Sequence, residues 1–331
     1  EDGEPPMTRL GLQLIPQLPV VELIETVQAA EELGYDYCLV ADEGFMHDVY
    51  VVLGALAGAT SRITLGPVTN CYTRHPAVTA AAMATLQEAT GGRALLELVA
   101  GGTMVLGPMG LTRTAPLGTV ADTISICRQL WSGERVSWEG NRFRLTDAQL
   151  SAGAQQIPIW VGARGERLLE LAGEQADGVV LMVKSDLGDA MDVVEQGRAA
   201  GDVRPLTRVY LDRLAYTAAM IEEAKGLYSY ALMDSPDRML GNLGLDPAEI
   251  EALRAALLHG GPAAVAPLVT DTMLGNFQIA VTPDQCRATL GNLVAAHQLD
   301  VFMMNVTTSG LDANVALLTE IRSIVRDSSP S

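Results

Sequence analysis

The strongest constraint on the fold of this chain is a repeated alternation of short, β-rich apolar runs with longer segments of helical periodicity. The first four apolar runs occupy residues 10–15, 37–40, 63–69 and 94–99. Their starts are roughly 26–31 residues apart, which is the length of one strand, one crossover helix and two loops. Regular alternation of this kind favours a parallel sheet over an antiparallel sandwich.

Four further apolar runs bring the number of predicted strands to eight. They occupy residues 157–161, 179–183, 208–216 and 301–306. A predicted helix at 117–130 and a small hairpin at 136–145 separate the fourth strand from the fifth. Residues 218–280 hold several helical pieces broken by Gly-Pro and Asp-Pro pairs, so we interpret them as an insertion between the seventh strand and its helix.

Eight such units predict a single α/β domain over residues 7–331, a (β/α)₈ TIM barrel whose insertion caps the C-terminal face. Residues 1–6 are expected to form an N-terminal tail. The competing architecture, a doubly wound open sheet, normally has a glycine-rich GxGxxG turn after its first strand. Here the first strand runs into Pro-Gln-Leu-Pro at 16–19, which favours the barrel.

Charge and composition narrow the range of partners. The formal net charge of −18 repels phosphate backbones and anionic lipid surfaces, so neither nucleic acid nor membrane is an expected partner. No apolar run approaches the roughly 20 residues that a bilayer span needs. The four cysteines form no CxxC pair, which is typical of free thiols in the cytoplasm. The histidines lack metal-ligand spacing, and no metal site is predicted.

In a (β/α)₈ barrel, functional residues concentrate at the C-terminal ends of the strands. The second predicted strand ends at Asp42 and Glu43, directly after an apolar run. A carboxylate in this place serves proton transfer or holds a cofactor ring by a hydrogen bond. It also serves as an N-cap of the following helix, and the residues alone leave both roles open.

The third predicted strand leads into an unusually polar loop. Because Pro67 removes a ladder donor, a β-bulge is expected beside Gly66. Thr69 and Asn70 then place short hydrogen-bonding side chains at the rim. A bulged strand followed by so polar a loop predicts a functional role for this edge.

Glycine-containing segments follow the fourth and fifth strands. Gly101 and Gly102 permit close approach of a flat or phosphorylated ligand to the backbone, with a plain turn as the alternative. The GARGE segment at 162–166 opens a helix. Small residues there leave N–H groups free, and the helix dipole adds partial positive charge. This pattern predicts a phosphate site, with Arg164 adding charge-assisted contacts.

Two long segments also carry a family resemblance, VTNCYTRHPAVTAAAMATLQEATGGRALLELVAGG (68–102) and IPIWVGARGERLLELAGEQADGVVLMV (157–183). Shorter support comes from LGYDYCLVADE (33–43) and TISICRQLWSGE (123–134). In this order they resemble the bacterial-luciferase-like superfamily, in the branch that uses the deazaflavin coenzyme F420. Within that branch the chain resembles the group similar to methylenetetrahydromethanopterin reductase, in detail over residues 7–183 and in general layout beyond them.

The resemblance implies roles for individual residues. Asp42 is expected beside the deazaflavin ring, and Glu43 stands where relatives often have histidine, as the candidate proton carrier. Gly66, Pro67 and Val68 are expected to support the ring face, in many relatives through a non-prolyl cis peptide. The other implied cofactor-binding residues are Thr69 and Asn70 at the ring, Gly101 and Gly102 beside it, Gly162, Ala163, Arg164, Gly165 and Glu166 at the phosphate, and Gly178 and Val179 close to that phosphate.

The implied activity is hydride transfer between C5 of F420 and an imine-, alkene- or carbonyl-like carbon of a small organic substrate. Two alternatives stay open: an FMN-dependent monooxygenase of the same superfamily, and a non-catalytic barrel that binds the cofactor. Because F420 and the protein are both acidic, binding requires a local basic patch, for which the candidates are Arg74, Arg113, Arg164 and Arg167. Relatives form homodimers, so a homodimer is expected.

The substrate pocket itself carries no readable motif. Five side chains of the seventh strand's end and the insertion either line that pocket or pack on helix faces. They are Tyr216, Tyr228, Tyr230, Met233 and Phe277.

Overall fold

A computed structural model of the chain describes residues 8–140, 142–201, 204–306 and 310–326. The predicted tail at 1–6 lies outside the described residues. The strands are β1 (Arg9–Leu14), β2 (Tyr37–Ala41), β3 (Thr64–Asn70), β4 (Leu96–Val99), β5 (Val136–Glu139), β6 (Arg144–Ala148), β7 (Ile159–Gly162), β8 (Gly178–Leu181), β9 (Thr207–Asp212) and β10 (Val301–Val306).

Eight of these strands close into one barrel, in the order β1-β10-β9-β8-β7-β4-β3-β2, and every neighbouring pair is parallel. This confirms the predicted (β/α)₈ fold. The remaining two strands, β5 and β6, pair antiparallel as the predicted hairpin. Asn141, between these two strands, lies outside the described residues.

Helices surround the barrel. They are α1 (Val20–Glu32), α2 (Val49–Ala59), α3 (Pro76–Ala89), α4 (Thr103–Leu106), α5 (Pro116–Leu130), α6 (Glu166–Gln175), α7 (Leu187–Ala200), α8 (Ala218–Leu227), α9 (Ser229–Leu232), α10 (Asp237–Asn242), α11 (Pro247–Val265), α12 (Asp271–Phe277), α13 (Pro283–His297) and α14 (Leu311–Arg326). Helices α8 to α12 form the predicted insertion between the seventh barrel strand, β9, and its helix α13.

The third strand runs through Pro67 without the predicted bulge. Leu65 bridges Ala94 and Val68 pairs with Glu97, so the offset between the two strands is the same before and after Pro67. Gly66 explains this regularity, because a Cβ atom there would lie 1.7 Å from the Leu95 carbonyl oxygen. The close approach that glycine permits keeps the strands in register where proline removes a donor. All peptide bonds in the described residues are trans.

The seventh strand is shorter than the predicted 208–216. It ends at Asp212 because the carboxylate of this residue accepts hydrogen bonds from the backbone N–H groups of Arg213 and Ile279. Ala215 then pairs with Ala280 in an isolated bridge. The two ends of the insertion are therefore held together directly beyond the barrel strand.

Apolar side chains form three buried clusters. The largest lies between barrel and helices, a second fills the barrel interior around Leu39, Leu95 and Trp160, and a third joins the helices of the insertion. All four cysteines are buried and free. No single helix among the described residues is long and apolar enough to cross a membrane; only the pair Pro247–Leu268 and Asp271–Phe277, bent by 103°, meets that length and composition together.

Helices α6 and α7 touch backbone to backbone through two glycines. A Cβ atom at Gly173 would lie 2.0 Å from the Val194 carbonyl oxygen, and one at Gly197 would lie 2.0 Å from that of Glu170. Neither carbonyl can retreat without bending its helix. This contact fixes the distance between the two helices that flank the predicted phosphate segment and strand β8.

We expect Gly173→Ala to lower the free energy of unfolding by about 2–3 kcal/mol, since the added methyl group overpacks this crossing. Gly54→Ala is the matched control, because Gly54 lies in helix α2 with open space around it. That change should raise stability by about 0.5–1 kcal/mol through helix propensity. Urea unfolding followed by circular dichroism measures both changes. If the two substitutions changed the free energy of unfolding in the same direction, the close contact between α6 and α7 at Gly173 would be contradicted.

Candidate active site

A cavity of about 750 Å³ lies at the C-terminal ends of the barrel strands. Loops after β2 and β4 and the start of α6 form its walls, and residues 230–238 of the insertion form its roof. Its floor consists of inward-facing strand residues, namely Gln13, Ala41, Val68, Glu97, Gly162 and Met182. The cavity therefore lies where a (β/α)₈ barrel carries its function.

The structure brings most of the predicted site residues together around this cavity. Those that line it are Asp42, Glu43, Val68, Asn70, Gly101, Gly102, Gly162, Arg164, Gly165 and Glu166. Those that do not line it are Gly66, Pro67, Thr69, Ala163, Gly178 and Val179.

Gly178 and Val179 lie at the opposite end of their strand from the expected position. Gly178 is the first residue of β8 and pairs with Trp160. A Cβ atom on Gly178 would lie 2.4 Å from the Trp160 indole, so the glycine makes room for a tryptophan in the barrel interior. At the C-terminal end of this strand it is Met182 that reaches the cavity.

Asp42 is fixed by the edge of the third strand. Its N–H donates to the Val68 carbonyl oxygen at 2.9 Å, and its Oδ2 accepts a hydrogen bond of 2.7 Å from the Thr69 hydroxyl. Thr69 is buried and thus orients the carboxylate without facing the cavity. The N-cap of helix α2 is Asp48, which decides against the capping role for Asp42 and Glu43.

Glu43, which follows Asp42, holds its proton more readily than a free carboxyl does. Burial raises its pKa and the neighbouring Asp42 raises it further, while Arg213 lowers it. A carboxyl with a raised pKa holds a proton closer to neutral pH. This property is compatible with the expected role in proton transfer.

Asn70 both shapes the rim and faces the cavity. Its Oδ1 accepts hydrogen bonds from the backbone N–H groups of Tyr72 and Thr73. Within the described residues its Nδ2 donates to no other group, and the side chain is buried against the cavity. The amide therefore offers a fixed donor to a bound molecule.

The start of helix α6 provides free backbone donors. Its N-cap is Gly165, which has no side chain to satisfy them, and Leu168 is the first N–H that bonds back to Gly165. In the described part of the chain, the N–H groups of Glu166 and Arg167 have no partner. The Ala163 N–H donates to the Val180 carbonyl oxygen at 3.3 Å, so this residue does not contribute to the predicted cradle.

Arg164 holds the insertion in place rather than extending freely into the cavity. Its Nη1 donates to the Tyr230 and Met233 carbonyl oxygens at 2.9 and 3.3 Å. Loss of solvation lowers the pKa of the guanidinium. These contacts were not predictable from the sequence, because they depend on how the insertion folds back.

Two further side chains of the insertion tie it to the barrel. Asp234 accepts hydrogen bonds from the N–H and hydroxyl of Thr103 and pairs with Arg113 at 2.9 Å. Arg238 binds both carboxylate oxygens of Asp186. Sequence reasoning missed both residues, since each lies in an insertion without a readable motif.

Of the four arginines that were candidates for the basic patch, Arg74 does not line the cavity. It pairs with Asp48 at 2.6 Å and stacks over the Tyr50 ring, away from the cavity. Arg113 and Arg164 line the cavity but are engaged by the insertion. Arg167 also lines it, is exposed, and has no ion pair among the described residues.

Of the five side chains whose role the sequence left undecided, two line the cavity and three pack against other apolar residues. Tyr230 and Met233 line the cavity. Tyr228 and Phe277 pack against each other inside the insertion, with ring centroids 5.6 Å apart, and Tyr216 packs against the large barrel-helix cluster.

Glu97 is a cavity residue that sequence reasoning missed. It is 2% exposed, and its Oε2 has no hydrogen-bond partner within the described residues. Burial alone raises its pKa to about 8. The available signal was a carboxylate inside the apolar run LLELV, at a position that parallel pairing turns inward.

Gly162, which lines the cavity, also makes room for a neighbouring side chain. A Cβ atom there would lie 2.9 Å from Oε1 of Glu97 and 3.0 Å from Cγ1 of Val99. This glycine thus leaves room for the Glu97 carboxyl on the floor of the cavity. The free backbone N–H groups that can bind an anion begin at Glu166, at the start of helix α6.

Comparison with known proteins identifies the family of this chain. The sequence profile of the luciferase-like monooxygenase family matches residues 7–298. A 5,10-methylenetetrahydromethanopterin reductase of Methanolobus tindarius is 33% identical over 294 residues, which cover 86% of this chain and 90% of that protein. The corresponding reductase of Archaeoglobus fulgidus is 34% identical over 292 residues, with 83% and 87% covered.

Among solved structures, the coenzyme F420-dependent tetrahydromethanopterin reductase of Methanopyrus kandleri superposes with a TM-score of 0.86. The two sequences are 24% identical, and the match covers 98% of this chain and all of that one. At this identity the superposition demonstrates a shared fold.

We expect Glu97→Gln to stabilise the protein at neutral pH. Above its usual pKa of 4.5, the unfolded chain ionises Glu97, whereas the native state keeps the proton up to a pKa of about 8. The cost to stability is therefore absent below pH 4.5 and grows by about 1.4 kcal/mol per pH unit above it, to an upper bound of roughly 3 kcal/mol at pH 7. The amide removes this cost.

Urea unfolding between about pH 4 and pH 8 measures the difference between the two proteins. Glu251→Gln is the control, since Glu251 is exposed on helix α11, and should leave the profile unchanged. If the stability gained by Glu97→Gln over the wild type did not grow with pH, the native protein would not hold Glu97 protonated.

Proposed function

Because the chain belongs to the luciferase-like monooxygenase family, we propose that it is a coenzyme F420-dependent oxidoreductase of the branch that contains the methylenetetrahydromethanopterin reductases. It transfers a hydride between C5 of the deazaflavin and a carbon of a small organic substrate. One observation carries the proposal: a single cavity has free helix N-terminal donors at one end and an oriented carboxylate at the other.

The residues present suit this cofactor. The N–H groups of Glu166 and Arg167, with the Arg167 guanidinium, form an anion site for the phosphate. Val68 and Asn70 offer an apolar face and an amide donor to the ring, beside Asp42. A volume of about 750 Å³ lies within the range of cofactor pockets.

When bound, the deazaflavin supplies or accepts the hydride. The chain's own residues bind, orient and exclude water. Asp42 is held by Thr69 in one orientation, and the adjacent Glu43, whose pKa is raised by burial, is suited to carry a proton. The roof, held through Asp234 and Arg238, separates the reacting carbon from solvent.

The proposed substrates have an imine-, alkene- or carbonyl-like carbon. Tyr230, Met233 and Met104 line the cavity and provide apolar and aromatic contacts for the body of a small molecule.

We also propose a cytoplasmic homodimer. Phe45, Val51 and Val78 are 75%, 70% and 51% exposed, on or next to the adjacent helices α2 and α3. Exposed apolar side chains on or next to two adjacent helices support a self-association surface. Sedimentation velocity tests it, and a 35.1 kDa monomer at all protein concentrations would overturn it.

Binding of the purified protein to F420 and to FMN tests the cofactor. We expect F420 fluorescence and absorbance to change on titration with the protein and FMN to remain free. Tight binding of FMN without binding of F420 would overturn the proposal. Binding of F420 without turnover in a broad screen of carbonyl, alkene and imine compounds would favour the non-catalytic barrel.

Matched arginine variants locate the phosphate. Arg167→Gln should weaken F420 binding about 10- to 100-fold, because a charge-assisted contact is lost. Arg74→Gln removes the same charge from a position outside the cavity and should leave the affinity unchanged. Equal losses in both variants would indicate attraction by net charge instead of a defined phosphate site.

A further inference from the structure

The floor of the cavity carries polar side chains that the protein leaves without partners. Glu97 is 2% exposed, and within the described residues its Oε2 has no hydrogen-bond partner; the buried side chain of Gln13 lines the same cavity. The Asn70 Nδ2 beside them is also free to donate. Buried polar groups are normally satisfied, so an unpartnered group that lines a cavity indicates contact with a bound molecule.

The Glu97 carboxyl points towards the cavity for a structural reason. Its Cα is paired with Val68 on one side and Trp160 on the other. The Oε1 atom lies over Gly162, two residues further along β7, where a Cβ would come within 2.9 Å. The side chain therefore leans along the strand towards the C-terminal rim, and the glycine opposite it provides the space.

No charged group offsets Glu97. Its neighbours on the floor, from β1, β3, β7 and β8, are Gln13, Val68, Asn70, Gly162 and Met182, none of which carries a charge. Loss of solvation is the sole cause of its raised pKa. The charged groups on the walls and roof of the same cavity do not contribute to the raised pKa of Glu97. These groups are Asp42, Glu43, Glu166, Asp234, Asp237, Arg113, Arg164, Arg167 and Arg238.

We propose that Glu97, as a neutral acid, donates a hydrogen bond to an acceptor atom, a carbonyl oxygen or a ring nitrogen, of the deazaflavin ring. The inference rests on the proposed cofactor and assigns it a specific contact. Val68, the expected support of the ring, is the strand partner of Glu97, so a ring on Val68 lies next to the carboxyl. An ionised Glu97 would have no proton to donate and would add an uncompensated negative charge.

Cofactor binding is then linked to the protonation of one residue. At pH values below its pKa of about 8, Glu97 is protonated, and its titration does not affect the affinity for F420. Above that pH, binding requires the uptake of a proton, so the dissociation constant rises about tenfold per pH unit. Glu43 also has a raised pKa, and its titration has to be separated from that of Glu97.

The experiment is a fluorescence titration of F420 from about pH 6 to about pH 9.5 with the wild type, Glu97→Gln and Glu97→Leu. Glutamine keeps the volume and a donor but does not ionise. We expect it to bind like the wild type at pH 7, within about threefold, and to lose the weakening above pH 8. Leucine removes the donor and should bind about tenfold more weakly at pH 7. Ionisations of F420, Glu43 and other groups appear equally in all three proteins.

A second readout follows the acid directly. The infrared carbonyl stretch of a carboxylic acid, absent in Glu97→Gln, should shift to lower frequency when F420 is added to the wild type. Identical pH profiles for the wild type and Glu97→Gln, or a band that F420 does not shift, would overturn the role of Glu97 and leave the cofactor assignment intact. Failure of the wild type to bind F420 at any pH would instead overturn the proposed function itself.

Discussion

The register of parallel pairing decides which side chains of this barrel reach the cavity, because successive residues of each strand point alternately inward and outward. Val68 pairs with Glu97, and Glu97 pairs with Trp160, so the side chains at these three positions all point into the barrel. A shift of one residue between β3 and β4 would turn Glu97 into the apolar layer under the helices. The site therefore depends on Gly66, which keeps those two strands close enough to pair on both sides of Pro67.

The βα repeat was sufficient to predict the fold and the face that carries the site, since the period of the pattern reports the architecture directly. Asp42 and Asn70 were predicted for the same reason: they end strands, and strand ends meet at one rim. The packing role of two glycines, by contrast, did not follow from the sequence. Gly162 and Gly178 each make room for a neighbouring side chain, Glu97 and Trp160, and such a neighbour is visible only once the strands are aligned.

Arg164 and Pro67 show a different limit. A charge beside a helix N-terminus suggests a ligand contact, but the Arg164 guanidinium meets carbonyl oxygens of residues more than 60 positions away. Proline predicts a bulge from its missing donor, yet the residue before it restores the pairing. In both cases a long-range contact outweighs a sound local rule, and the 218–280 insertion, which lacks periodic signals, contributes most contacts of this kind.

The electrostatics of the floor follow from the acidity of the whole molecule. A protein of net charge −18 that binds an acidic cofactor gains nothing from long-range attraction, so its site has to rely on short contacts that add no negative charge. Arg113 and Arg164 are engaged with the roof, and Arg238 of the roof is engaged with Asp186. Arg167 and the start of α6 are therefore left as the local anion donors. A buried carboxyl held neutral by its apolar surroundings meets the same requirement at the other end of the cavity, because it donates a hydrogen bond without repelling the ligand. The burial of Glu97 and the use of most cavity arginines in contacts of the roof are thus both related to one constraint, the binding of an anion by an anionic protein.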